Sequence, residues 1–188
     1  PVDDASWHTE HCVKDPARDW PLYCAMFFDD PQGVDLSEVT TAVEQTGGQG
    51  VVSIYVGSPF VDWLCSAREG GYERVIYELL DRPAFFRPMQ ERYVARIVAK
   101  TRWLCEHARF DELFMGNEFS ELPLLSPRLW REWDYPVMRA FCETAADYGV
   151  VTGEISIDFT KVMARKDKVR FDARKGNEDW LAGMPGLS

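Results

Sequence analysis

The chain has 188 residues, 46% of them apolar and 13% aromatic, and a net charge of −10. That is enough for one domain with a sizeable core and too apolar for a disordered chain, and no run approaches the roughly 20 apolar residues of a membrane span. Uniform negative charge repels phosphate backbones, so neither nucleic acid nor a membrane is an expected partner.

The opening residues, PVDDASWHTEHC, are acidic and polar, unlike a signal peptide. Within them His8, His11 and Cys12 are metal-capable, but H-x-x-H-C matches no common zinc spacing and no ligation is expected there. Cys12, Cys24, Cys65, Cys105 and Cys142 are odd in number, widely spaced and without a C-x-x-C pair. Reduced thiols in a cytoplasmic protein are the expectation.

Four apolar runs have the length of strands: residues 22–28, 51–56, 112–115 and 150–155. The second, VVSIYV, is β-branched and apolar on both faces, as in a buried parallel sheet. Helical patterns lie between the runs. One covers 36–45 after Asp35, a candidate N-cap, and ends at Gly47-Gly48. Others follow at 60–68, after Ser58-Pro59, and at 72–80. The longest is predicted from about Pro83 to His107, with an apolar stripe of Phe86, Met89, Tyr93, Ile97, Thr101 and Leu104. Ser126 as N-cap and Pro127 at the first helical position open another, with Trp130, Trp133, Val137, Phe141, Ala145 and Tyr148 on one face. Pro136 is expected to break it near Tyr135. Alternating strands and helices imply a parallel sheet with right-handed crossovers. The pattern fades after Ile157, which suggests an α/β domain over residues 1–157 and a basic tail over 158–188 with Lys161, Arg165, Lys166, Lys168, Arg170, Arg174 and Lys175.

Ligands of parallel α/β folds bind at the carboxyl ends of the strands. The expected ends are Phe28-Asp29-Asp30, Gly57-Ser58-Pro59-Phe60, Gly116-Asn117-Glu118-Phe119 and Gly153-Glu154. Asp29, Asp30, Glu118 and Glu154 have the chemistry to hold a hard cation, to divide into acid and base, or simply to cap helices and loops. Capping is the expectation, so no metal ligand set is assigned. Cys65 is expected to be a packed core thiol. There is no G-x-S-x-G, P-loop or G-x-G-x-x-G motif.

Three pieces carry a family likeness: Gly57-Ser58-Pro59-Phe60 with Tyr77-Glu78-Leu79-Leu80-Asp81-Arg82-Pro83 after it; the strand end Gly116-Asn117-Glu118-Phe119; and Leu125-Ser126-Pro127 followed by Trp133 and Pro136. Over residues 48–150 their order resembles the uroporphyrinogen decarboxylase superfamily, which includes the corrinoid-linked methyltransferases. The resemblance implies a partial (β/α)8 TIM-type barrel of about four parallel strands with helices. A full barrel needs about 250 residues. It implies decarboxylation of a tetrapyrrole, in porphyrin biosynthesis, without a cofactor; the alternative is methyl transfer with corrinoid and zinc. A non-catalytic, self-assembling fragment is the third reading.

The chain departs from the family in three places. No arginine-rich segment precedes residue 48, the decarboxylases' catalytic tyrosine falls near Cys65, and the strand at 150–155 lacks the methyltransferases' H-x-C motif. The site expected from the likeness has Asn117, Glu118 and Asp62 as orienting amide and carboxylates, with Asp29, Asp30, Ser58, Phe60 and Glu154 around a small-molecule substrate. A homo-oligomer or a missing barrel half is the expected protein partner.

Overall fold

A computed structural model describes residues 10–28, 35–117 and 124–156, the last three of these by backbone alone. Its first element corrects the sequence reading. The apolar run at 22–28 lies in a helix, α1 (Pro16–Phe27), with Asp15 as N-cap accepting from the backbone N–H groups of Ala17 and Arg18 and Pro16 in the first turn. Trp20 and Cys24 are buried, and Tyr23 and Phe27 pack beside the core at helical spacing. Leu22 and Met26 face outward. The run is apolar all round but buries only one side, which is why it resembles a strand to a reader who passes over Asp15-Pro16.

The remaining helices are α2 (Ser37–Thr46), α3 (Phe60–Ala67), α4 (Gly71–Asp81), α5 (Pro83–His107), α6 (Pro127–Trp133) and α7 (Tyr135–Asp147). The strands are β1 (Ser53–Gly57), β2 (Glu112–Asn117) and β3 (Val151–Ser156). They form one parallel sheet in the order β1-β2-β3. The architecture is therefore α/β and mostly helical, with three parallel strands among the described residues in place of the four expected.

Several helix ends have a local cause. Asp35 accepts the Ser37 N–H at 2.9 Å ahead of α2, and Gly47, at φ 54°, ends that helix in the left-handed region. Ser126 accepts the Leu129 N–H and caps α6 as expected. Pro136 separates α6 from α7 at Asp134. The break frees the carbonyls of Glu132 and Trp133, and Gln90 Nε2 on α5 donates to them at 2.9 and 2.7 Å.

Helices α5 and α7 pack on each other, α5 against β1 and α7 against β3. Leu113, Met115 and Asn117 of β2 are buried by alternation on one face. On the other face Ser53 donates to Glu112 at 2.7 Å, and the rings of Tyr55 and Phe114 lie 5.5 Å apart. That face is the more open one: Tyr55 remains 52% exposed. Trp63 centres the aromatic core, within 4.9 Å of Tyr93 and 5.6 Å of Trp20 between ring centroids.

The N-terminal segment is latched on by a buried ion pair. Val13 pairs with Arg68 in an isolated bridge, and the Arg68 guanidinium donates to the carbonyls of Val13, Lys14 and Glu69. Its other arm meets Glu78 of α4 at 2.7 Å. The predicted tail at 158–188 lies outside the described residues. No described helix is long and apolar enough to cross a membrane.

Candidate functional site

The exit of β1 is irregular. Tyr55 pairs with Phe114 but Gly57 pairs with Met115, so Val56 is bulged out of the register. Lys100 Nζ of α5 donates to the carbonyl of Val56 at 2.7 Å, and the Tyr93 hydroxyl, two turns earlier, donates to the carbonyl of Ser58 at 2.7 Å. Burial pushes the Tyr93 phenol up and holds it as a donor. Burial also lowers Lys100 to about 8, with the Arg96 charge adding to the effect.

Pro59 precedes α3 and has no side chain to cap it. The cap comes from elsewhere: Asp134, fully buried between α6 and α7, accepts the Val61 N–H at 2.8 Å through Oδ1. A carboxylate at a helix N-terminus satisfies an orphan donor and meets the positive end of the dipole. Asp62 is the next residue and is 5% exposed. Cys65 lies one turn further on. Burial first, then the charges of Asp62 and Asp134, push its thiol up. A thiol in that setting is held protonated and inert.

Three of the predicted residues therefore sit at one end of the sheet. Ser58 leaves β1, Asp62 lies in the first turn of α3, and Asn117 ends β2, 2% exposed on the helix-covered face. Phe60 is fully buried, its ring 5.6 Å from Tyr93 and 6.1 Å from Trp133, so it packs the core directly behind Ser58. Glu154 belongs to β3 and pairs in register with Met115. Asp29, Asp30 and Glu118 lie outside the described residues, as does His8. His11 Nδ1 is 3.4 Å from the Ser66 carbonyl, and His107 Nδ1 is 2.8 Å from the Trp103 carbonyl, its ring stacked on Trp103. Among the described residues no three His, Cys, Asp or Glu side chains gather as a metal-holding group.

No family model, curated protein or solved structure matches the chain. Function must then be read from the residues themselves. The arrangement is a pair of buried carboxylates, Asp62 and Asp134, beside Cys65 at the start of α3, with the buried amide of Asn117 at the end of β2. It has the chemistry to orient N–H or O–H donors and to hold a loop in place. Asp134 and Lys100 escaped the sequence reading. Each had a signal: Asp134 is acidic in an otherwise apolar stripe beside a helix-breaking proline, and Lys100 lies one residue from the stripe's Thr101.

Proposed function

We propose that the chain is a sector of a (β/α) barrel enzyme of the uroporphyrinogen decarboxylase type, exchanging a carboxyl of a tetrapyrrole side chain for a proton. The observation that supports this is the sequential parallel order β1-β2-β3, which brings Ser58, Asp62 and Asn117 to one end of the sheet. Barrels add strands in sequence order, whereas doubly wound sheets reverse direction. In this reading Asn117 and Asp62 orient the substrate loop from the buried side, and Ser58 lies nearer the substrate. The corrinoid alternative has less support, because β3 reads VTGEIS and supplies neither histidine nor cysteine for zinc.

The test is incubation of the purified chain with uroporphyrinogen under reducing conditions, with products separated by carboxyl number. Loss of carboxyl groups is expected, and Asn117→Ala and Asp62→Asn should each slow it by roughly tenfold to a hundredfold. Folded protein that leaves uroporphyrinogen unchanged rejects the proposal. A second reading, a non-catalytic module that assembles with its own copies, has its own observation: the open sheet face, where Tyr55 and Val151 stay 52% and 48% exposed.

A further inference from the structure

Helix α1 carries a second apolar stripe, beside the one that Trp20 and Cys24 bury. Leu22, Tyr23, Met26 and Phe27 follow Asp19 at helical spacing. Leu22 and Met26 are 61% and 75% exposed, and Tyr23 and Phe27 are half-buried. Together with Cys12 of the latched N-terminal segment, these residues line a cavity of about 420 Å³. Small-molecule sites have such volumes and such linings, mostly apolar with a few polar groups. Here the polar groups are the Asp19 carboxylate, the Tyr23 hydroxyl and the Cys12 thiol.

We propose that this cavity binds an uncharged phenol carrying a short alkyl chain, with the phenol O–H donating to Asp19 and the ring and chain lying against Leu22, Tyr23, Met26 and Phe27. The site shares no residue with the strand exits and does not depend on the decarboxylase reading. Asp19 and Met26 are seven residues apart, about 10 Å along the helix, a length that a ring with a short chain spans.

The charges around Asp19 select a neutral ligand. Its Oδ2 accepts from the N–H groups of Lys14 and Asp15 and from Arg18 Nη2, at 2.9, 2.8 and 3.2 Å. Its Oδ1 accepts from Arg18 Nε alone among the described residues, at 2.6 Å. A carboxylate oxygen has two lone-pair positions, so Oδ1 retains one for a ligand donor. Arg18 already neutralises this carboxylate, so an ammonium would meet a guanidinium beside its acceptor, and an anion would meet the carboxylate itself. A neutral O–H meets neither penalty. The walls favour a ring. Tyr23 and Phe27 stack with centroids 5.6 Å apart, and the Met26 thioether adapts to aromatic edges.

The experiment uses the whole chain, with Cys12 as the reporter in the cavity wall and half-buried Cys105, on α5, as the reference thiol. Iodoacetamide labelling is followed at each cysteine by peptide mass mapping while 4-butylphenol is titrated. The phenol is expected to slow Cys12 severalfold, saturably, and to leave the Cys105 rate in place. 4-Butylanisole has the same body without the O–H, and should need about tenfold more ligand for the same protection. Met26→Lys replaces an exposed wall residue, so it should abolish protection without moving the urea midpoint. An unchanged Cys12 rate up to the solubility limit of the phenol overturns the proposal, as does equal slowing of Cys12 and Cys105. Protection that survives Met26→Lys places the phenol elsewhere and overturns it too. Equal potency of the phenol and its methyl ether would overturn the role given to Asp19.

Discussion

An ionised carboxylate buried without partners costs several kcal/mol, so Asp134 has to recover that cost through its neighbours. The Val61 N–H does so at 2.8 Å, and Asp134 in turn caps a helix that has no local cap. Asp134→Ala should lower unfolding free energy by about 1–3 kcal/mol, because the Val61 donor is left buried and unsatisfied. Asp134→Asn keeps an acceptor and should lose less. Urea midpoints of the two variants check both statements. The same neighbourhood makes a prediction for thiol chemistry. Cys65, buried beside two carboxylates with its thiol pushed up, should resist iodoacetamide in the native protein at pH 8, while exposed Cys12 is alkylated. Site-resolved mass spectrometry gives the order; fast labelling of Cys65 would mean that α3 is not packed as described.

At the scale of elements, α1 and the segment before it depend on Asp15, which caps the helix, on Asp19, and on one latch. Asp19 accepts from the Arg18 guanidinium and from the N–H groups of Asp15 and Lys14, and these bonds hold its carboxyl below the ordinary range. A carboxylate depressed in the folded state adds stability above its unfolded pKa, and that stability is lost as pH falls toward the folded value. The protection of α1 amides, relative to their intrinsic exchange rates, should therefore fall below about pH 4, and Asp19→Asn should flatten that dependence. The latch is the Arg68–Glu78 pair. Arg68→Met leaves Glu78 buried without its partner and should cost about 3–5 kcal/mol, whereas the double change with Glu78→Leu should recover much of the loss. Helix α5 was legible from its stripe, because Phe86, Met89, Tyr93, Ile97, Thr101 and Leu104 all turn inward. Helix α1 was not, because LYCAMFF is apolar at every angle and only Asp15-Pro16 distinguishes helix from strand. That Asn117 ends a strand and Asp62 opens a helix followed from the strand ends and helix starts; their burial did not. Asp134 did not, since its partner lies 73 residues away in the chain.

For the whole molecule, the feature that most needs explaining is a parallel sheet that, among the described residues, is covered by helices on one face only. Parallel sheets are normally covered on both. The more open face carries the Ser53–Glu112 hydrogen bond and the Tyr55–Phe114 ring pair. Another copy is one way to cover such a surface. If copies pair through it, light scattering should give twice the mass of one chain, and Tyr55→Lys should return the protein to monomer. A monomer at all concentrations leaves the barrel-sector reading without competition from self-assembly.

The order β1-β2-β3 also has a temporal meaning. Each strand lies beside the one synthesised just before it, with its helices already made. A nascent chain that has emerged only as far as Asn117 already contains β1, β2 and α5, and with them one of the two strand pairings. Nothing in the sheet has to wait for a distant partner, so growth on the ribosome and growth of the sheet proceed in the same direction. A further strand–helix unit appended after β3 would be accepted by the same rule, with no rearrangement of what came before.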